Sequence, residues 1–273
     1  MPYITTSDGT EIYYTEQGTG RPVILSHGWP LSSDAWQVEL KLLADAGYRA
    51  IAHDRRGHGR SSQTYSGNDM DTYAKDLAEL VEALDLTDIV LIGHSTGGGE
   101  VVRYAAQYGV GRVSKIFTAG AVPPIMLKSD SNPEGTPIEA LDAIREGVLK
   151  DRSQYYKDLS VAFYGANREG ATVSQGAKDD FWRQGMAVGL AAAYDCVKAF
   201  SETDFTEDLE ALTVPVFIAQ GDADQIVPIA AAALKSIHLV KDGTLKVYPG
   251  APHGIYGAYQ DELDQDILKF VGE

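Results

Sequence analysis

The chain is poor in cysteine and in positive charge. Cys196 is its single cysteine among 273 residues, so no disulfide can form within the chain. With no charged and then apolar leader at the N-terminus, this composition predicts a cytoplasmic location. The 23 Lys and Arg residues are outnumbered by 39 Asp and Glu residues, giving a net charge of −16. Such a surface repels phosphate backbones and anionic lipids, so we expect neither a nucleic-acid nor a membrane partner.

Long apolar runs and metal-ligand spacings are missing as well. No apolar stretch approaches the roughly 20 residues that span a bilayer. No pair among the six histidines has a metal-ligand spacing, and we predict no metal site and no cofactor. Cys196 has no second cysteine or ligand cluster beside it, so we expect a small, buried, apolar residue there.

Short apolar runs alternate with longer amphipathic stretches in the first half of the chain. The predicted strands are Ile12–Thr15, Pro22–Ser26, Tyr48–His53, Asp88–Gly93 and Val113–Ala119. The predicted helices are Ser33–Ala46, Asp71–Leu84 and Gly99–Tyr108. This alternation indicates an α/β fold, with a mostly parallel sheet and helices on both faces.

The alternation stops from about residue 123 to residue 200, where helical stretches rich in aromatic residues replace the strands. We predict that residues 123–200 form a helical cap, inserted into a core made of residues 1–122 and 201–273. The alternation then resumes with strand Val214–Gln220, helix Ile229–Leu239, strand Leu245–Tyr248 and a last helix over about Ala258–Val271.

Residues 93–97, with the sequence GHSTG, fit the pattern G-x-S-x-G between a predicted buried strand and a predicted helix. In a nucleophile elbow the glycines allow a tight turn, and the strained serine exposes its hydroxyl. The following helix directs its positive end and free N–H groups at a developing oxyanion. A phosphate loop would need Lys where this chain has Glu100. We therefore predict that Ser95 is a nucleophile.

A serine hydroxyl needs a base to take its proton. Where the nucleophile sits on such an elbow, the chain order is Ser, acid, His, so the base lies late in the chain. His253 follows the predicted strand Leu245–Tyr248 in a PGAPHG loop, whereas His238 lies in a helical pattern. We predict His253 as the base. The four histidines that precede or adjoin Ser95 are expected to satisfy local hydrogen bonds: His27, His53, His58 and His94.

The acid should follow the penultimate strand. Strand Val214–Gln220 ends at the sequence GDAD, which offers Asp222 and Asp224. The acid must hold the imidazole tautomer and stabilise the imidazolium from the crest of the loop. Asp224 lies further out and is the preferred candidate, and Asp222 is expected to be a turn residue bonded to local backbone.

An oxyanion hole needs two N–H donors. Thr96 follows the serine and supplies one. The second should come from the loop HGWP after strand Pro22–Ser26, where Pro30 has no N–H and biases Trp29 towards an extended backbone. We predict Trp29 as this donor. The basic segment DRRGHGRS at residues 54–61 is interpreted as a loop braced by contacts of Asp54 with arginines, since anion binding is disfavoured in so acidic a chain.

The chain resembles a known family through these motifs. The segments SHGWP, DRRGHGRS, GHSTGGGEVVRY, GDADQIVP and GAPHG occur in the order and spacing of the cofactor-free haloperoxidases and related bacterial aryl esterases, which are α/β hydrolases. The likeness spans essentially the whole chain, including FYG at 163–165 and YDCV at 194–197 in the cap.

This resemblance implies the triad of Ser95, Asp224 and His253, with Trp29 and Thr96 as oxyanion donors. It implies hydrolysis of small to medium acyl esters, and formation of peracids from carboxylic acids and hydrogen peroxide without haem or metal. It also implies a homo-oligomer, a trimer or a hexamer. Pro30 stands at a position linked to perhydrolysis in this family.

Two residues depart from the family pattern. His94 and Thr96 flank the serine where an apolar residue and Met are more frequent, which predicts a more polar pocket. The cap residues expected to shape acyl preference are Phe163, Trp182 and Met186. Alternative functions are a lactonase or lactamase on the same triad, or a ligand receptor that keeps the triad but turns over negligibly. Epoxide hydrolases and haloalkane dehalogenases need a carboxylate in place of Ser95.

Overall fold

A computed structural model describes residues 2–255 and 259–273. Its strands are β1 (Tyr3–Thr5), β2 (Glu11–Gln17), β3 (Pro22–Ser26), β4 (Arg49–His53), β5 (Ile89–His94), β6 (Val113–Ala119), β7 (Val216–Gly221) and β8 (Gly243–Tyr248). These eight strands form one sheet in the order β1-β2-β4-β3-β5-β6-β7-β8. The pairs β1–β2 and β2–β4 are antiparallel and all other pairs are parallel. The predicted mostly parallel sheet is confirmed.

The helices follow most of the predicted amphipathic stretches. They are α1 (Gln37–Asp45), α2 (Met70–Ala83), α3 (Thr96–Gln107), α4 (Ile138–Phe163), α5 (Gln175–Met186), α6 (Leu190–Ser201), α7 (Thr206–Ala211), α8 (Ala233–Ser236) and α9 (Gln260–Gly272). None of the helices in the described ranges is long and apolar enough to cross a membrane.

Two buried clusters show that helices cover both faces of the sheet. Val23 and Leu25 of β3 pack in one cluster with Leu40 of α1 and Ile267 of α9. Ile24, which lies between them, packs in the other cluster with α2, α3 and the helices between β6 and β7. Successive side chains of a strand point to opposite faces, so the wholly apolar run of β3 contributes to both clusters.

Several predicted elements have different bounds in the structure. The predicted helix Ser33–Ala46 is a 3₁₀ turn over Ser33–Trp36 followed by α1. β7 begins at Val216, directly after Pro215, which has no N–H to give to the sheet. The predicted helix Ile229–Leu239 is helical over Ala233–Ser236, with turns on either side. The predicted start of the last helix, Ala258, lies outside the described residues.

The chain leaves the sheet after β6 and returns to it at β7. Helices α4, α5, α6 and α7 lie in this interval, and α4 is interrupted at Asp151, where φ is −160° and ψ is 81°. The predicted cap, residues 123–200, contains α4, α5 and all of α6 except Ser201. These helices bury aromatic side chains against one another, among them Phe163 and Phe181, whose ring centroids lie 4.7 Å apart.

Candidate active site

Ser95 occupies a sharp turn between β5 and α3. Its φ of 54° and ψ of −120° are strained for a residue with a side chain. A Cβ atom on Gly93 would lie 2.4 Å from the Gly97 carbonyl oxygen, and one on Gly97 would lie 2.2 Å from the Ser26 carbonyl oxygen. The backbone can therefore close this tightly only with glycine at both positions. The turn has the geometry expected of a nucleophile elbow.

Asp224 and His253 form a buried pair at the carboxyl edge of the sheet. His253 Nδ1 lies 2.7 Å from Asp224 Oδ2, and the two side chains are 1% and 0% exposed. The other carboxylate oxygen, Oδ1, accepts the N–H groups of Ile226 at 2.8 Å and Val227 at 2.9 Å. The carboxylate is thus fixed in orientation, and a proton on Nδ1 leaves Nε2 of His253 free to accept one.

Asp222 has a different environment. Its Oδ1 accepts the N–H of Gly250 at 2.6 Å, which ties the loop after β7 to the loop after β8. The structure therefore brings Asp224 to His253 and leaves Asp222 on local backbone, as a loop residue.

Trp29 and Thr96 lie beside Ser95. Thr96 is the first residue of α3, so its N–H has no partner within the helix. The Trp29 backbone N–H donates to no residue in the described part of the chain, while its indole Nε1 donates to Ala193 O at 3.1 Å. The Trp29–Pro30 peptide bond is cis. The loop approaches the nucleophile closely, since a Cβ on Gly28 would lie 3.0 Å from Ser95 Cβ.

A cavity of about 270 Å³ joins these groups. Ser95, Thr96, His253 and Trp29 line it. The rest of its lining is mostly apolar and comprises Met126, Thr136, Ala140, Leu141, Ile144, Tyr155, Leu159, Phe163, Phe200, Gln225, Ile226, Val227 and Pro228. The serine, the histidine and the residues that carry the two N–H groups thus border one mostly apolar space.

Of the predicted cap contacts, Phe163 alone lines this cavity. Its ring meets that of His253 edge to face at a centroid distance of 5.2 Å. Trp182 donates its Nε1 to Ser153 Oγ at 3.0 Å and, like Met186, is absent from the lining. Trp182 and Met186 are instead partly buried against the hydrophobic core, and their role in acyl preference stays a prediction. Pro30 is buried behind Trp29 and is also absent from the lining.

A buried ionic network lies beneath the Trp29 loop. Glu100 of α3 pairs with Arg55, whose Nε lies 2.7 Å from Oε2, and with His53 Nε2 at 2.7 Å from Oε1. Burial alone would raise the pKa of Glu100, but Arg55 and His53 lower it to about 2. Arg55 Nη2 also donates to the His27 carbonyl at 2.8 Å. The network thus links α3, which carries Thr96, to the loop that carries Trp29.

The DRRGHGRS segment has the expected contact of Asp54 with an arginine, and its other two arginines pair elsewhere. Asp54 Oδ2 accepts two hydrogen bonds from Arg60, one from Nη1 at 3.3 Å and one from the backbone N–H at 2.7 Å. Arg55 instead pairs with Glu100, and Arg56 with Asp76 at 2.5 Å. The sequence holds one signal for this arrangement, because Glu100 is the single acidic residue in the segment GHSTGGGEVV at 93–102.

Three further histidines near the site are buried and neutral. His94 Nε2 lies 3.1 Å from the His253 carbonyl oxygen, and burial together with the neighbouring His253 holds the pKa of His94 well below its ordinary value. His94 lies outside the lining of the cavity, so Thr96 alone of the two departures borders that space. Burial and the charge of Arg55 lower the pKa of His58 to about 3 and depress that of His27.

Residues 2–255 and 259–273 contain no cluster of three or more His, Cys, Asp or Glu side chains that could hold a metal ion. Cys196 is fully buried, and its burial raises the pKa of the thiol to about 11. The thiol is therefore protonated and unreactive at neutral pH.

Comparison with known proteins agrees with this geometry. The α/β-hydrolase fold family matches residues 21–257. The chain is 56% identical over 272 residues to a non-heme haloperoxidase of Rhodococcus erythropolis, with 99% of each chain covered. The chain therefore belongs to the α/β-hydrolase fold family and, within it, to the non-heme haloperoxidases and their esterase relatives.

Two further proteins are similar to this chain over nearly its whole length. A bifunctional esterase/perhydrolase of Acinetobacter calcoaceticus is 48% identical over 274 residues, with 99% of each chain covered. The crystal structure of a bromoperoxidase from Bacillus anthracis superposes with a TM-score of 0.93 at 37% identity, covering 97% of this chain and 96% of that one.

Proposed function

We propose that the protein is a serine esterase that hydrolyses carboxylic esters through an acyl-enzyme, with Ser95, His253 and Asp224 as its catalytic triad. The observation that carries this proposal is that Ser95, His253, Trp29 and Thr96 line one mostly apolar cavity, where the backbone N–H groups of Trp29 and Thr96 have no partner among the described residues. The esterase activity named for the Acinetobacter calcoaceticus relative supports the same conclusion.

The mechanism follows from the contacts. Nδ1–H of His253 donates to Asp224, so Nε2 takes the proton of Ser95 as Oγ attacks the ester carbonyl carbon. The tetrahedral oxyanion accepts hydrogen bonds from the N–H groups of Trp29 and Thr96. These hydrogen bonds stabilise the transition state most where water is excluded. His253 then passes the proton to the departing alcohol. A water deprotonated by His253 attacks the acyl-enzyme and releases the acid.

The cavity favours small, neutral esters. Its volume of about 270 Å³ lies just below the range of roughly 300–1,000 Å³ that ligand pockets span. Its lining, within the described residues, includes no Lys, Arg, Asp or Glu. We expect Phe163 to contact the bound acyl or alcohol group beside His253.

Perhydrolysis is the second activity that we propose for the same acyl-enzyme. Hydrogen peroxide would replace water as the attacking nucleophile, and the product would be a peracid that oxidises halide without haem or metal. The names of the haloperoxidase and esterase/perhydrolase relatives support this activity. Trp29, which lines the cavity, offers its carbonyl as an acceptor for the peroxide hydrogen, and Pro30 constrains the direction of that carbonyl.

The decisive experiment is a panel of p-nitrophenyl esters with graded acyl length, assayed with and without hydrogen peroxide. We expect steady turnover that declines beyond medium acyl chains, and peracid formation from acetate and peroxide. A protein labelled by a fluorophosphonate but without turnover on any ester would instead be a receptor on a hydrolase scaffold. Faster turnover of simple lactones than of every ester would favour a lactonase.

Location and assembly remain predictions. A single, buried cysteine supports a reducing compartment such as the cytoplasm. The resemblance supports a trimer or hexamer, and sedimentation velocity of the full chain tests it.

A further inference from the structure

The last turn of α4 and the loop after it reach both catalytic loops. We define the Phe163–Arg168 segment as the end of α4 and the five residues that follow it. On one side its Phe163 carbonyl accepts the N–H of Gly254, directly after His253, at 2.8 Å. On the other side Asn167 and Gln225, directly after Asp224, exchange two amide hydrogen bonds of 2.9 and 3.1 Å.

Arg168 connects the two loops through a single side chain. Its Nη1 donates to the Gly250 carbonyl at 2.7 Å, in the loop that carries His253. Its Nη2 donates to the carbonyl of Ala223, the residue before Asp224. A planar guanidinium holds two acceptors at a fixed separation, which a flexible ammonium group cannot do.

The local backbone is shaped for this contact. Gly165, just after the end of α4, has a φ of +65°, which residues with side chains rarely adopt. A Cβ on Gly165 would lie 3.2 Å from Arg168 Cζ and 3.1 Å from Pro252 Cβ. The glycine thus lets the guanidinium and the His253 loop approach the same stretch of backbone.

The loops after β7 and β8 need such a link because the sheet ends before the Asp224–His253 pair. The last register pair between β7 and β8 is Gly221 with Tyr248. Beyond it the loops share the Asp222–Gly250 bond, then the Arg168 bridge, and finally the Asp224–His253 contact.

We propose that Arg168 is a positioning residue, which holds the Asp224 and His253 loops at the separation that the Asp–His pair requires. The inference rests on the proposed triad and extends it. It predicts that loss of the bridge lowers the rate of acylation and leaves substrate binding almost unchanged, because Arg168 touches neither the cavity nor Ser95.

The test compares Arg168→Gln with Arg183→Gln. Arg183 is a cap arginine of which 54% of the side chain is exposed, paired with Asp34 and Asp180 and remote from both catalytic loops. A displacement of catalytic groups by ~1 Å can lower the rate by as much as 10²-fold. We therefore expect Arg168→Gln to lower kcat by roughly tenfold and to keep KM within about twofold of wild type. Arg183→Gln should leave both constants unchanged. Arg168→Lys, which keeps the charge but reaches one carbonyl at a time, should lie between Arg168→Gln and wild type.

A double-mutant cycle separates positioning from a general loosening of the cap. If Arg168 acts through the Asp–His pair, adding Arg168→Gln to the Asp224→Asn variant should lower kcat by less than about threefold. A rise in KM at unchanged kcat, or the full loss persisting in the Asp224→Asn background, would overturn the proposal. The rate of labelling by a fluorophosphonate is measured in parallel, because it needs the activated serine but no turnover. A wild type without ester turnover contradicts the proposed esterase, whereas equal labelling rates for wild type and Arg168→Gln contradict the role of Arg168.

Discussion

Replacing Asp224 with asparagine tests the triad most sharply, because the structure determines how the new amide must lie. The Oδ1 position accepts two backbone N–H groups, from Ile226 and Val227. An amide oxygen can take that place and an NH₂ group cannot. The NH₂ group of the substituted side chain must therefore occupy the Oδ2 position, 2.7 Å from His253 Nδ1.

The consequence is a reversed histidine tautomer. The new NH₂ group donates to Nδ1 of His253, which places the imidazole proton on Nε2, the atom that should accept the proton of Ser95. We therefore expect kcat to fall by about 10⁴-fold, equivalent to roughly 5 kcal/mol in the barrier. Folding should be nearly unaffected, because the amide oxygen keeps both backbone hydrogen bonds.

Asp222→Asn is the matched control, in the same loop and with the same change of charge. Its amide oxygen can still accept the Gly250 N–H, so kcat should stay within about threefold of wild type. The assay is hydrolysis of p-nitrophenyl acetate, with thermal unfolding of each variant measured alongside. Retention of more than a hundredth of the activity by Asp224→Asn, or a larger loss in Asp222→Asn, would refute the reasoning.

Three more outcomes are expected. Ser95→Ala should lower ester turnover by ~10⁴-fold or more with the fold intact, and a variant with a tenth of wild-type activity would exclude Ser95 as the nucleophile. Glu39, buried on α1 with its Oε1 accepting from Gln260, has a pKa raised by burial to about 7. The folded state therefore holds its proton more tightly than the unfolded state, so stability falls as pH rises from about 4.5 to 7. At pH 8, Glu39→Gln should raise the free energy of unfolding above that of wild type by on the order of 3 kcal/mol. At about pH 4 it should leave the free energy of unfolding nearly unchanged. Urea titrations in which this difference does not depend on pH would contradict the prediction. Pro30→Leu should lower the kcat of peracetic acid formation several-fold more than the kcat of ester hydrolysis. The measurement is the ratio of these two kcat values in each protein, and an unchanged ratio would mean that Pro30 only stiffens the loop.

The sequence by itself determined the sheet, the tight turn at Ser95 and the choice of His253 as the proposed base. Apolar runs that serve both faces of a sheet have a local signature, and so does a serine between glycines where a strand meets a helix. His253 could be selected because the order of the chain restricts the base to the last strand loop. These features depend on neighbours within a few residues, or on topology that the alternation of elements already specifies.

Only the tertiary structure decided which side chains meet across long separations. It turns Phe163 to the cavity and directs Trp182 away, a difference that depends on how α4 and α5 pack. It pairs Arg55 with Glu100, 45 residues away, and brings Arg168 to two loops that lie 55 and 82 residues further along the chain. The physical reason is that the sequence around a charged side chain does not indicate which residue will pair with it. Its partner is selected when folding removes both from water, and the fold determines which opposite charge or carbonyl lies within reach.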